Sequence, residues 1–149
     1  RAIISASRIR GALQAGHIDE ANALLGWEWE IRGVVGHGDK RGREIGYPTA
    51  NVPLEETIHP SYGVYATWVR IDGQGDWLKA ATNIGIRPMF EVRTGLVEVH
   101  ILDFEGDLYD KVLHIRPVKK IRDEMKFSSL EDLIAHIDAD CIEARKILV

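Results

Sequence analysis

From Trp27 onward the chain alternates apolar and charged residues in short runs, and this rhythm limits the fold more than any other feature. WEWEIRGVV, starting at Trp27, has a period of two, so successive side chains fall on opposite faces of an extended strand. GVYATWVRI (63–71), DWLKAATNIGI (76–86), GLVEVHILDF (95–104) and DLYDKVLHIRPV (107–118) continue in the same style. Between them lie Asp72-Gly73-Gln74-Gly75 and Glu105-Gly106, residues suited to tight hairpin turns. Short strands in series with no helical stretch between them predict an antiparallel barrel or sandwich, not a parallel α/β sheet.

Helices are expected only at the two ends. Ile9, Leu13, Ala21, Leu24 and Leu25 recur at helical steps, with a break at Gly16-His17 and a stop at Gly26, which predicts two short helices. Near the end, Ser128 or Ser129 can cap a helix whose first turn carries Glu131 and Asp132. Leu130, Leu133, Ile134, Ile137, Cys141, Ala144 and Leu148 mark its apolar face. The reading is a small antiparallel β-barrel with a helix pair before it and a long helix behind it.

Bulk properties narrow the function. A chain of 149 residues suffices for one hydrophobic core, and its net charge of −4 gives it no general attraction to nucleic acid or anionic membranes. No apolar run approaches the roughly 18 residues of a membrane span. Cys141 is the single cysteine, which fits a reducing compartment such as the cytoplasm. Its place on the apolar stripe points to packing, not nucleophilic chemistry. The six histidines form no i,i+4 helical pair and have no cysteine at zinc spacing.

Any anion site must therefore be local, and GVVGHGDKRGREIGYPTANV (33–52) is the place to look. Gly36, Gly38 and Gly42 allow backbone amides to approach a phosphate, while Lys40, Arg41 and Arg43 supply charge. The spacing matches neither the dinucleotide fingerprint nor the Walker loop, and the same composition suits a solvated surface loop. In the following Pro48-Thr49-Ala50-Asn51, Thr49 and Asn51 project to one side if the segment is extended. That pair offers two neutral oxygens to a Mg²⁺ already on nucleotide phosphates, or simply satisfies turn hydrogen bonds. Glu98 is similarly open: a carboxylate on a strand can act as a general base, although more often it makes an ion pair. Arg122-Asp123-Glu124 with Lys126-Phe127 is either a solvated lead-in to the last helix or a loop folded over a ligand at the barrel mouth.

The ordered set GHGDKRGREIGYPTAN, GVYA, TNIGIRP, VEVHILDFEGDLY and IRDEMKFSSLEDL closely resembles riboflavin kinase, in the form found as the C-terminal module of bacterial bifunctional riboflavin kinase/FAD synthetases. The resemblance runs from about Gly26 to Leu148. It implies a six-stranded antiparallel Greek-key barrel, and transfer of the ATP γ-phosphate to the ribityl 5′-hydroxyl of riboflavin, giving FMN and ADP. It also implies roles for residues. Glu98 would be the catalytic base, Thr49 and Asn51 would contact Mg²⁺ and the nucleotide, and Gly36, Gly38, Lys40, Gly42 and Arg43 would lie in a flap over the phosphates. Arg122, Glu124 and Phe127 would fall in the segment that closes over the flavin.

The segment before Gly26 resembles the tail of the adenylyltransferase module in such proteins, with Ser5, Ser7, Ile9 and Arg10 in its Ser-x-Ser-x-Ile-Arg pattern. The expected organisation is thus 1–25 as linker and 26–149 as kinase domain, cut from a longer protein that also converts FMN to FAD. Two positions depart from the family pattern. Met89 stands where Thr is usual, and Asp110 where Gly is usual, which is tolerable if that backbone has positive φ. A flavin binder without turnover, or a barrel that binds RNA or protein, are the rival classes. The first has no need of Glu98, and the second wants a basic or aromatic face that 7% aromatics do not offer.

Overall fold

The computed structural model describes residues 6–26, 28–36, 49–54, 60–89 and 92–149. Two short helices come first: α1 (Ala6–Gln14) and α2 (Ile18–Leu25). The break falls at Gly16 (φ 81°), and α2 ends on Gly26 (φ 80°), whose N–H donates to the Asn22 carbonyl at 3.0 Å. Six strands follow among the described residues: β1 (Ile31–Val34), β2 (Ala50–Leu54), β3 (Gly63–Ile71), β4 (Gln74–Met89), β5 (Val92–Ile101) and β6 (Val112–Asp123). The chain closes with α3 (Leu130–Ile147), capped by the Ser129 hydroxyl, which accepts from the Asp132 N–H at 3.1 Å.

All strand pairs are antiparallel, in the order β1-β6-β3-β4-β5-β2. Strands β3, β4 and β5 are sequential neighbours, and β6 returns to lie beside β3. That is the spatial order of a Greek key. The free edges of β1 and β2 then meet, and Gly36 N–H donates to the Asn51 carbonyl at 2.8 Å. Gly33 makes the approach possible, since a Cβ there would stand 2.4 Å from Val52 Cγ1. The result is a nearly closed barrel, as the sequence led us to expect.

The β3–β4 hairpin turns on Asp72 and Gly73 alone, both with positive φ (52° and 66°), the backbone that matches strand twist. Glu105-Gly106, by contrast, is not a hairpin turn. Strands β5 and β6 are not neighbours, so residues 102–111 must cross one end of the barrel to reach the far side of β3. Residues 107–111 accordingly belong to that crossing and not to β6. Strand β1 also starts at Ile31, later than its alternation predicts. Asp110 does take positive φ (65°), so the family's glycine has been replaced by one of the few side chains that visit this region readily.

Period-two alternation is visible in burial. Ala50, Val52 and Leu54 of β2, Tyr65 and Val69 of β3, Ile84 of β4, and Val97, Val99 and Ile101 of β5 fill the interior. Leu13, Ile18 and Ala21 of the helix pair join this core. On the outer face, α3 lays Ala144 and Leu148 against Ala66, Ala81 and Leu102, with Cys141 at the edge. Burial pushes the Cys141 thiol up to about 11, so it packs as an inert neutral group. Leu130 departs from the expected stripe; it is exposed on the first turn of α3.

The lead-in to β1 is held by charge. Glu30 accepts hydrogen bonds from Arg32, from Arg116 Nε at 3.0 Å and from His114 Nδ1 at 3.2 Å. Burial alone would push its carboxyl up, but these three donors outweigh it and hold the group below its ordinary value of 4.5. A depressed carboxylate stabilises the fold above the unfolded pKa, and the contribution fades as pH falls through the lower folded value. Glu30→Gln is therefore expected to cost about 1–3 kcal/mol at pH 7. In denaturant titrations at several pH values, its gap from wild type should close below pH 4.5. A gap that stays constant down to pH 3 would contradict the assignment.

Candidate functional site

Residues opposite one another in a sheet share a face, so the register lines up side chains across strands. Asn51 of β2 faces Glu98 of β5, and Glu98 faces Asn83 of β4. Asn83 faces Val64 of β3, and Val64 faces Arg122 of β6. Their chain neighbours Ala50, Val52, Val97, Val99, Thr82, Ile84 and Tyr65 are buried in the barrel. Asn51, Glu98, Asn83, Val64 and Arg122 thus form one row across five strands on the outer face. Three of them, Asn51, Glu98 and Arg122, were candidates widely separated in sequence, and the fold makes Asn51 and Glu98 direct cross-strand neighbours.

Helix α3 bounds the row at the β6 end. Asp140, 5% exposed, receives Arg122 in a two-point contact, Nε to Oδ1 at 2.9 Å and Nη2 to Oδ2 at 2.8 Å. The guanidinium also lies 5.5 Å from the centre of the Phe127 ring, which is tilted against His136 at 5.0 Å. Arg122 and Phe127 are therefore brought together, and their shared work in this structure is to tie the segment after β6 to α3. Removing one partner of such a pair strands a desolvated charge. Asp140→Ala should lower unfolding free energy by about 3 kcal/mol or more, measured by chemical denaturation. A loss under about 1 kcal/mol would mean the pair behaves as a surface contact.

Glu124 takes a different position. A Cβ on Gly85 of β4 would lie 1.9 Å from Glu124 Oε1, so the carboxylate sits directly on the bare backbone of that glycine. Gly85 is two residues from Asn83 and on the same face, which places Glu124 beside the row. A glycine inside a strand is a signal of such close approach, and TNIGIRP carried it.

At the barrel mouth a cavity of about 480 Å³ opens between the start of β2 and the 102–111 crossing. Val35, Thr49, Ala50, Val99, Phe104 and Tyr109 are among its walls. Its size is that of a small-molecule site. Thr49 opens into this cavity, while Asn51, two residues on, stands in the outer row. The Thr49–Asn51 segment therefore joins an open-mouthed, mainly apolar chamber to a polar shelf. Gly36 lies at the seam, paired with Asn51. Gly38, Lys40, Gly42 and Arg43 lie outside the described residues. Sequence reasoning missed Asp140, Phe104 and Tyr109, whose part comes from packing alone.

Residues 25–148 match the family model for riboflavin kinase, also called flavokinase. The chain belongs to the riboflavin kinase family. It is 43% identical over 145 residues to the bifunctional riboflavin kinase/FMN adenylyltransferase of Bacillus subtilis, a match covering 95% of this chain and 45% of that protein. The chain thus spans about half the length of the curated relatives it matches. Among solved structures, a protein of Streptococcus pneumoniae named as a macrolide-efflux protein superposes with a TM-score of 0.87 at 39% identity, covering 95% of this chain and 46% of that one. The riboflavin kinase of Trypanosoma brucei superposes with a TM-score of 0.60 at 26% identity, covering 80% and 78%. No helix among the described residues is long and apolar enough to cross a membrane.

Proposed function

We propose that this chain is the kinase half of a bifunctional flavin-nucleotide enzyme, transferring the γ-phosphoryl group of ATP to the ribityl 5′-hydroxyl of riboflavin. The observation that carries the reading is the junction at Thr49–Asn51, where a chamber of nucleotide size meets a shelf bearing a carboxylate. On this reading the nucleotide lies in the chamber, its phosphates emerge past Thr49, and the flavin's sugar chain reaches Glu98 along the row. Phosphoryl transfer asks a protein mainly for positioning and charge neutralisation, and a rigid barrel seam provides the first.

The proton bookkeeping falls to Glu98. As the 5′-oxygen attacks the γ-phosphorus, its O–H bond breaks toward the Glu98 carboxylate, and the bond from the γ-phosphorus to the bridging oxygen of ADP breaks. A primary alcohol is too weak an acid to ionise beforehand, so the proton moves as the new P–O bond forms. Asn51, directly opposite Glu98 in the sheet, would keep the transferring group and the base in one line.

The divalent cation that such kinases generally use is, on this reading, Mg²⁺. Among the described residues no cluster of three His, Cys, Asp or Glu forms a self-sufficient metal site. The Thr49 hydroxyl and Asn51 amide are hard neutral oxygens that fit an ion already carried by nucleotide phosphates, since Mg²⁺ usually takes few protein ligands. Bound there, Mg²⁺ would neutralise charge developing on the phosphate oxygens. Gly38, Lys40, Gly42 and Arg43 complete the phosphate site in this proposal. Arg122, Glu124 and Phe127 form the wall against the flavin, with Arg122 acting through its hold on that segment. The parent protein would also adenylate FMN to FAD through a second domain, in the cytoplasm, with residues 1–25 leading from it.

Glu98→Gln should lower kcat at least tenfold, and toward the roughly 10²–10⁴-fold usual for general-base assistance, while flavin affinity changes little. FMN formation by the purified variant at the wild-type rate would remove Glu98 from the chemistry.

A further inference from the structure

The shelf is rich in hydrogen-bond acceptors. Glu98 and Glu124 bring carboxylates, and Asn83 brings an amide whose Oδ1 is buried with no hydrogen-bond partner among the described residues. Native chains leave few buried polar atoms unpaired, and each such atom calls for an explanation. Among the described residues, the side chains directly beside Asn83 do not donate to it. On one side stands the Val64 side chain, on the other the Glu98 carboxylate. Two residues along β4, the Glu124 carboxylate covers Gly85. None of these three can donate to an amide oxygen, and a ligand hydroxyl can.

We propose that Asn83 Oδ1 accepts a hydrogen bond from an inner hydroxyl of the ribityl chain, 3′ or 4′, and so holds the 5′-hydroxyl at Glu98. The inference rests on the kinase reading above and deepens it, naming the residue that reads the polyol. Directly opposed side chains in an antiparallel pair have Cβ atoms about 4.5–5.5 Å apart. That separation suits two acceptors engaging an end hydroxyl and one a carbon or two inward. Asn83 as a whole is only part-buried, and its amide turns about χ2, a broad and soft torsion, to present the oxygen at the open edge. A flavin lacking the inner hydroxyl leaves this oxygen unpaired in the complex, which is how a polar site rejects a close analogue.

The test compares riboflavin with its 3′-deoxy and 4′-deoxy analogues, using the full chain and Asn83→Leu, which removes the amide but keeps the branched shape. Wild type should lose about tenfold or more in kcat/KM on one of the two analogues. Asn83→Leu should raise the KM for riboflavin to a similar extent, treat riboflavin and that analogue alike, and leave the KM for ATP unchanged. Its melting temperature should equal or exceed that of wild type, because an unpaired buried oxygen has been removed. Asn83→Ala carries the same comparison where leucine overpacks. Discrimination retained in the variants, or absent in wild type, overturns the assignment while riboflavin turnover leaves the kinase reading standing. A melting temperature lowered in both variants with discrimination kept marks a structural role and overturns it as well. Failure of the wild-type chain to form FMN sinks the underlying reading instead.

Discussion

The register of β5 against β2 and β4 is the constraint on which the site depends. With Val97, Val99 and Ile101 inside the barrel, Glu98 is forced outward, opposite Asn51 on one side and Asn83 on the other. A slip of one residue would invert every side chain on the strand, burying Glu98 and exposing valines. The hydrophobic pattern that fills the core is therefore also what aims the polar row. Apolar burial at about 25 cal/mol per Å² enforces that register far more strongly than any single hydrogen bond on the shelf.

The outer face is then divided between stability and chemistry. Helix α3 covers the part over β3, β4 and β6 through Ala66, Ala81, Leu102, Ala144 and Leu148. The part over β2 and β5 is left to Asn51 and Glu98. Arg122 marks the border: it stands at the end of the polar row, yet its guanidinium is committed to Asp140. The closing segment after β6 is thereby anchored where it starts, by the Arg122–Asp140 ion pair and by Glu124 against Gly85. A rigid scaffold thus holds the reacting groups, and the segments that frame the ligand hang from it.

Much of this was legible in the sequence, for identifiable reasons. GVYATWVRI coincides with β3, Gly26 stops α2, and Asp72-Gly73 turns the hairpin, because each depends on local backbone preferences. Glu105-Gly106 misled, since the same turn residues serve a crossing between strands that never pair, and pairing partners are a long-range property. The spacing of Thr49 and Asn51 suggested two ligands on one side. Thr49 lies at the cavity wall and Asn51 in the adjoining outer row, at a seam that only barrel closure creates. Asp140 could not be singled out, because nothing in the α3 pattern distinguishes an acidic residue that meets Arg122 from one that meets solvent. Asn83 lay in a quoted motif, but its unpaired oxygen becomes visible only once its neighbours across β3 and β5 are known.

The central claim is that the outer row is where the acceptor hydroxyl meets the transferable phosphate. A crystal structure of the chain with ADP, Mg²⁺ and riboflavin tests it most directly. The account predicts nucleotide in the chamber beside Thr49 and the ribityl 5′-oxygen within about 2.6–3.2 Å of a Glu98 carboxylate oxygen. A flavin whose 5′-oxygen lies on the far side of α3, or out of reach of Glu98 even through one water, would contradict it.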